Sequence, residues 1–81
     1  TISVEGHTDN VPLSGGRYES NWGLSASRAL SVTHQLISAG TLDEQRLRVA
    51  GFSDTRPFTF NDTPEGRAMN RRVEIEMTGL K

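Results

Sequence analysis

The chain contains no cysteine, carries almost no excess charge and has no long apolar run. Without cysteine it can form neither a disulfide nor a thiolate metal site. Nine Lys and Arg residues against ten Asp and Glu residues leave a net charge of −1, unlike the basic excess that is typical of nucleic-acid-binding domains. No apolar stretch approaches the roughly 20 residues that a membrane-spanning helix requires. With 81 residues, the sequence has room for one small domain.

Alternating apolar and polar residues predict three strands, which cover residues 1–7, 47–52 and 72–77. Side chains with a period of two point to one face of a sheet, and the apolar ones predict the face that meets the helices. They are Ile2, Val4, Leu47, Val49, Val73, Ile75 and Met77. Because all three strands alternate, we expect a sheet that helices cover on one face only, which is an α+β fold.

Two helices are predicted between these strands. In residues 21–39 apolar positions recur at intervals of three and four, Ser20 or Asn21 can cap the start, and Gly40 is a natural stop. A strand, a helix and a strand within about fifty residues indicate a right-handed βαβ unit with parallel strands. Thr63, followed by proline, predicts the cap of a second, short helix.

The candidate ligand site lies where the first strand ends. Asp9 follows that strand directly, and ligands of parallel-strand units usually bind at this edge. The helix that follows carries Asn21, Leu24, Ser25 and Arg28 on one face. We therefore expect Asp9 and Arg28 to flank a pocket with one anion and one planar cation, which suits a zwitterion such as an amino acid. The alternative is a purely structural Asp–Arg ion pair.

Catalytic and metal sites have weaker support. A hydrolase triad of Ser25, His7 and Asp9 lacks the Gly-x-Ser-x-Gly turn, and its serine falls inside a helix. A metal bound by His7 and Asp9 lacks a third ligand at a suitable spacing. We expect no metal, no cofactor and no nucleic-acid partner. The large aromatic side chains are expected to be core residues or loop anchors; they are Trp22, Phe52, Phe58 and Phe60.

Three motifs, in the same order, resemble the OmpA-like C-terminal domain family. They are VEGHTD at residues 4–9, NxxLSxxRA at residues 21–29 and EGRAMNRRVEI at residues 65–75. This family binds peptidoglycan non-covalently in the periplasm of Gram-negative bacteria. The resemblance therefore implies a peptidoglycan-binding module, not an enzyme, that covers residues 1–81.

The resemblance also implies a role for each matching residue. Asp9 would hold the ammonium group, and Arg28 the carboxylate, at the free end of the meso-diaminopimelate in the peptide stem. The positions that match the rest of that pocket are Thr8, Asn21, Leu24 and Arg71.

The family fold is a βαβαββ two-layer sandwich with a mixed sheet. Since the sequence starts at what resembles the family's second strand, we expect a fragment that lacks the first strand and helix. The last strand would then have an open edge, and a homodimer that completes it is expected.

The long loop over residues 10–20 resembles that of MotB-type flagellar stator proteins. This implies that the module anchors a flagellar stator to the cell wall. It also implies a MotA-like partner that contacts the missing N-terminal part. The module would lie in the periplasm, and the parent protein would be anchored in the inner membrane. The alternative within the family is the wall anchor of an outer-membrane or type VI secretion protein.

Overall fold

In the computed structural model, residues 1–13, 16–40 and 42–78 are described. The predicted domain limits 1–81 and the predicted loop 10–20 therefore each include residues outside these ranges. The elements are β1 (Ile2–His7), α1 (Asn21–Ala39), a short 3₁₀ turn (Glu44–Arg46), β2 (Leu47–Gly51), α2 (Pro64–Asn70) and β3 (Arg72–Met77). Within the described residues, no helix has both the length and the apolar character needed to cross a bilayer.

The three strands form one mixed sheet in the order β2-β1-β3. Strand β1 runs parallel to β2 and antiparallel to β3, and Val4 lies opposite Val49 on one side and Ile75 on the other. Helix α1 connects the two parallel strands and covers one face of the sheet. The predicted α+β fold, with its βαβ unit and mixed sheet, is confirmed.

Helix α1 begins and ends where the sequence predicts. Ser20 has the extended backbone of a cap residue, although its side chain makes no capping hydrogen bond. Gly40 ends the helix in the left-handed conformation, with φ of 71°, which glycine adopts without steric cost. The small side chains of Ser25, Ala29 and Thr33 are buried on one face, so the helix axis comes close to the sheet.

Two glycines allow this close approach. A Cβ atom on Gly6 would lie 2.0 Å from the carbonyl oxygen of Ser25, and one on Gly51 would lie 2.6 Å from the backbone nitrogen of Ala26. Gly6 and Gly51 are opposite each other in the parallel pair. The first half of α1 is therefore held against the carboxyl ends of β1 and β2, the edge at which Asp9 leaves the sheet.

The apolar face of β3 is covered less well than the sequence predicts. By register, Ile75 and Met77 share the helix-facing side of the sheet with Val4, yet both remain about half exposed, and so does Val49 on the other outer strand. The prediction that Ile75 and Met77 meet a helix layer is wrong, because α1 packs mainly against β1 and β2 and scarcely touches β3. Val49 lies on the outer strand β2, where α1 covers it only in part.

Candidate ligand site at the end of β1

Asp9 is the centre of the candidate site. Its side chain is 11 % exposed. One carboxylate oxygen, Oδ1, accepts a hydrogen bond of 3.1 Å from the backbone N–H of Val11, and Oδ2 accepts one of 2.6 Å from Nη1 of Arg71. An ionised carboxylate offers about four acceptor positions, so these two bonds leave capacity for a further donor.

Arg71 reaches Asp9 from the end of α2. Its side chain is 44 % exposed, so the guanidinium is partly open to solvent beside the carboxylate. Only one of its five N–H donors is needed for the bond to Asp9. Asp9 thus forms an Asp–Arg ion pair, but its partner is Arg71 and not Arg28, the arginine considered in the sequence analysis.

Thr8 and Asn21 act on the backbone around Asp9. The N–H of Thr8 donates to the carbonyl oxygen of Ser53 at 2.8 Å, and its hydroxyl donates to the carbonyl oxygen of Asp9 at 2.8 Å. The Asn21 side-chain amide donates to the carbonyl oxygen of Val11 at 2.9 Å. The start of α1 is thereby tied to the segment that carries the carboxylate, and the orientation of Asp9 is fixed from both sides.

Arg28 is exposed on α1, one turn after the half-buried Leu24, and it makes no ion pair with any of the described residues. Its charge acts on Tyr18. A hydrogen bond of 2.9 Å with Ser27 is the main reason why the pKa of Tyr18 is lowered, and the nearby positive charge of Arg28 contributes in the same direction. The structure therefore brings Thr8, Asn21 and Arg71 onto Asp9, whereas Arg28 extends toward solvent.

The hydroxyl of Ser25 is committed to structural bonds. It donates to the carbonyl oxygen of Trp22 at 3.0 Å and accepts from the N–H of Ser53 at 3.1 Å, and the residue is fully buried. His7 has no hydrogen-bond partner on either ring nitrogen. Since Ser25 does not contact His7 through a hydrogen bond, the geometry of a Ser25–His7–Asp9 triad is not formed.

His7 instead packs as a ring. It stacks on Phe52 with centroids 5.3 Å apart, and its Nε2 lies 3.8 Å from a carboxylate oxygen of Glu74. Burial, followed by the charge of Arg72, lowers the pKa of His7, against an opposite effect from Glu74. Within the described ranges, no three His, Cys, Asp or Glu side chains are placed to share a metal ion.

Asn70, which the sequence analysis did not single out, organises the loop next to the site. It is fully buried and makes four hydrogen bonds to residues 58–61. Its Oδ1 accepts from the N–H groups of Phe58 and Thr59, and its Nδ2 donates to the carbonyl oxygen of Thr59 and to Oδ1 of Asn61, all within 2.8–3.0 Å. One asparagine next to Arg71 therefore connects this loop to the candidate site.

Three of the four large aromatic side chains, for which the sequence predicts positions in the core or as loop anchors, are on the surface. Trp22, Phe58 and Phe60 are 53, 64 and 80 % exposed, and only Phe52 is partly covered, by His7 and by the guanidinium of Arg56. None of these three is a core residue, because the loop and helix start that carry them lie outside the sheet–helix interface. Phe58 and Phe60 belong to the loop that Asn70 holds, which is the alternative position that the sequence leaves open.

Comparison with known proteins gives consistent matches. A model of the OmpA family matches residues 1–71. Motility protein B of Bacillus subtilis is 40 % identical over 74 residues, 91 % of this chain. The crystal structure of the C-terminal domain of Helicobacter pylori MotB superimposes with a TM-score of 0.88 over 93 % of this chain at 39 % identity. The cell wall anchor of the type VI secretion system (T6SS) from Pseudomonas aeruginosa gives a TM-score of 0.79 over 91 % of this chain at 50 % identity.

The chain spans only part of each relative. It covers 28 % of the length of the Bacillus motility protein, 56 % of the Helicobacter crystal chain and 51 % of the Pseudomonas crystal chain. The similarity thus concerns one module that occurs in larger proteins of different kinds.

Proposed function

The chain belongs to the OmpA family, and on that premise we propose that it is a non-catalytic module, residues 1–81, that anchors a larger protein to the cell wall by binding peptidoglycan. Support comes from the similarity to a protein described as a cell wall anchor, at 50 % identity. The observation that carries the proposal is the oriented Asp9 carboxylate at the end of β1, with spare acceptor capacity and two arginines on the elements around it.

The ligand we propose is the meso-diaminopimelate of the peptide stem. Its free end is an amino acid head group, with an ammonium and a carboxylate on one carbon. Asp9 would accept hydrogen bonds from the ammonium, and Arg28 would form a two-point contact with the carboxylate. Leu24, half-buried one turn before Arg28, would contact the methylene chain between the two ends of the ligand.

Arg71 would help to orient the ligand through its ion pair with Asp9. A guanidinium that holds one carboxylate oxygen leaves the other side of Asp9 as the remaining direction for the ligand ammonium. Its partly exposed N–H groups could also meet a backbone carbonyl or carboxylate of the stem. Asn21 and Thr8 would act indirectly, by fixing the backbone of residues 9–11.

For the parent protein we propose a flagellar stator subunit of the MotB type, with a MotA-like partner, a periplasmic location for this module and an inner-membrane anchor elsewhere in the chain. The matches to motility protein B and to the C-terminal domain of MotB support it. The second candidate is a wall anchor of a secretion or outer-membrane protein, which the T6SS relative favours. Both candidates share the same binding chemistry.

Cosedimentation with purified meso-diaminopimelate-type cell walls tests the proposal. Asp9→Asn and Arg28→Ala should each weaken binding by about tenfold or more, because each leaves one ligand charge without its partner. Arg48→Ala, which removes an exposed arginine from β2, is the matched control and should bind within about twofold of the wild type. Equal binding by Arg28→Ala and Arg48→Ala would contradict the assignment of Arg28.

A second experiment tests binding without turnover. Muropeptides incubated with the protein should give an unchanged chromatographic profile, since Ser25 is buried with its hydroxyl in structural bonds. A new fragment that is absent with Asp9→Asn would show that the module is an enzyme and would overturn this part of the proposal.

A further inference from the structure

His7 is a buried titratable side chain that the candidate ligand site does not use. Only 3 % of its side chain is exposed, and neither ring nitrogen has a hydrogen-bond partner among the described residues. Buried polar atoms are nearly always hydrogen-bonded, because leaving them unbonded is costly. The ring lies on the face of the sheet opposite α1, since side chains alternate along β1 from the helix-facing Val4. An ionisable ring without a hydrogen-bond partner is thus kept two residues before Asp9.

Aromatic and charged groups surround this ring. It stacks on Phe52, which follows β2, and the guanidinium of Arg56 lies 4.1 Å from the centroid of the Phe52 ring. On β3, the oxygen Oε2 of Glu74 lies 3.8 Å from Nε2 of His7, which is too long for a hydrogen bond. Four charged side chains act on the ring, two of each sign: Arg56, Arg72, Glu5 and Glu74. A proton on His7 would therefore attract the two carboxylates and repel the two guanidinium groups.

Arg72 competes with His7 for Glu74. Its Nε donates to Oε2 of Glu74, the same oxygen that faces Nε2 of His7. Its terminal nitrogens donate to two backbone carbonyl oxygens, Nη1 to that of Asn70 at 3.1 Å and Nη2 to that of Arg56 at 2.9 Å. One guanidinium therefore joins β3, the end of α2 and the segment after β2.

These contacts adjoin the candidate ligand site. Asn70 and Arg72 are the chain neighbours of Arg71, whose guanidinium donates to Asp9 at 2.6 Å. His7 also precedes Asp9 by two residues on β1 and the segment that follows it. A change at the His7 ring can thus reach the Asp9 carboxylate from both sides, along β1 and through the backbone around Arg71.

From this geometry we infer that His7 is a proton switch, whose protonation in acid loosens the contacts of Arg72 and releases the stem peptide from Asp9. The inference rests on the proposed function and adds a regulation to it. An imidazolium that takes its proton from solvent would donate to Oε2 of Glu74 and repel the guanidinium of Arg72. Arg72 would then lose its carboxylate partner, and its bonds to the backbone beside Arg71 would weaken.

The neutral ring is therefore the form that binds the ligand. Burial, followed by the charge of Arg72, lowers the pKa of His7, against the opposite effect of Glu74 and Glu5. Affinity should be full above the ordinary pKa and should be lost as the pH falls through the folded pKa. Because linkage between two sites is reciprocal, a bound ligand should in turn lower the pKa of His7 further.

The test is a calorimetric titration with a purified muropeptide that carries a meso-diaminopimelate stem, at about pH 7.5 and pH 5 and matched salt. The dissociation constant of the wild type should rise about five- to tenfold at the lower pH, as is typical of coupled sites. His7→Phe, which keeps a ring against Phe52, should change by less than about twofold because it cannot take up a proton. His34→Gln, which removes the exposed histidine of α1, is the control and should keep the full effect. Circular dichroism at both pH values checks that each protein is folded.

A second pair of variants tests the route through Glu74 without altering the buried ring. Glu74→Gln removes the carboxylate that faces both Arg72 and His7, so at pH 7.5 it should weaken binding about as much as acidification weakens it in the wild type. Glu76→Gln removes the next carboxylate on the same face of β3, opposite Ser3, and should bind as the wild type does.

NMR of the histidine ring protons gives a readout that a purely structural role of His7 would not change. The pKa of His7 should be lower in the protein saturated with muropeptide than in the free protein, whereas that of His34 should be the same in both. If His7→Phe does not fold, this comparison and the Glu74→Gln variant decide the question.

The outcomes separate the switch from the proposed function. Wild-type affinity that does not change with pH, or a His7→Phe variant that keeps the wild-type pH dependence, would overturn the switch and leave the proposed function in place. The same holds if the pKa of His7 is equal in the free and bound protein, or if Glu74→Gln and Glu76→Gln bind equally. Absence of muropeptide binding at both pH values would overturn the proposed function, and the switch with it.

Discussion

The Asp9 carboxylate and the Arg71 guanidinium are joined by a hydrogen bond of 2.6 Å, although 62 positions separate them in the chain. This ion pair connects the end of β1 to the end of α2. Arg71 lies outside the βαβ unit and holds one side of the Asp9 carboxylate. The other side of the carboxylate is left open for a ligand. The pair therefore has both a structural and a binding consequence, which can be measured separately.

The structural consequence is a coupling energy between Asp9 and Arg71. In a double-mutant cycle of Asp9→Asn and Arg71→Ala, urea denaturation should give a coupling of about 1 kcal/mol, between the values for exposed ion pairs and those for buried charged hydrogen bonds. Asn at position 9 keeps an acceptor for the N–H of Val11, so the cycle isolates the ionic contact. A coupling near zero would mean that the pair contributes nothing to folding.

The close contact between α1 and the sheet predicts opposite effects for two glycine substitutions. Gly51→Ala should lower the free energy of unfolding by about 1–3 kcal/mol, because its Cβ would meet the α1 backbone at 2.6 Å. Gly23→Ala should raise it by about 0.5–1 kcal/mol, since this helical position has only ordinary contacts with Tyr18 at 3.9 Å. Thermal denaturation compares the two variants directly. Equal shifts in the melting temperature would show that α1 is not held as closely as described.

The buried ring of His7 predicts a pH dependence of stability. Burial and the charge of Arg72 lower its pKa below the ordinary value of 6.5, while Glu74 and Glu5 partly oppose them. Between the folded pKa and the ordinary pKa of His7, the unfolded chain therefore binds a proton that the folded chain does not bind. The stability that His7 contributes is fully present above the ordinary pKa and is lost as the pH falls through the folded pKa.

The test is the difference in stability between about pH 7.5 and pH 5. His7→Phe, which keeps a ring against Phe52, should lose less stability on acidification than the wild type. His34→Gln removes the exposed histidine of α1 and should behave as the wild type does. If the His7→Phe and wild-type curves are parallel over this range, His7 is not the group responsible.

The half-exposed apolar side of β3 predicts self-association of the isolated chain. Ile75 and Met77 face the helix layer without being covered by it, and β3 is an outer strand of the sheet. Outer strands with apolar residues tend to pair with another chain. Sedimentation velocity should show dimers at high concentration for the wild type and fewer for Ile75→Lys. A wild type that stays monomeric at every concentration would contradict this expectation.

The elements could be predicted because their signals are local. The alternation of β1 and β3, the periodicity of α1 with Gly40 after it, and the Thr63 cap of α2 each depend on neighbouring residues, and the structure has them all. Thr63 accepts a hydrogen bond from the N–H of Gly66, as a cap residue does. The extent of burial was less predictable, because it depends on where α1 crosses the sheet.

The partners within the site could not be predicted from local patterns. The sequence places Asp9 and Arg28 on consecutive elements that flank one pocket, but its local patterns do not indicate that Asp9 bonds to Arg71, which only the return of β3 beside β1 brings near. The role of Asn70 was also hidden, because its four hydrogen bonds go to a loop without a periodic pattern. Family resemblance placed Arg71 in the site, and pattern analysis alone did not.

The most direct test of the account is a calorimetric titration with two muropeptides at matched salt, one with a meso-diaminopimelate stem and one with a lysine stem. Both ligands offer the ammonium to Asp9, but only the first adds a carboxylate for Arg28. The account predicts that the lysine stem binds more weakly by about tenfold to a hundredfold, and that Arg28→Ala removes this difference by weakening the diaminopimelate stem alone. Equal affinities of the wild type for the two stems would contradict it.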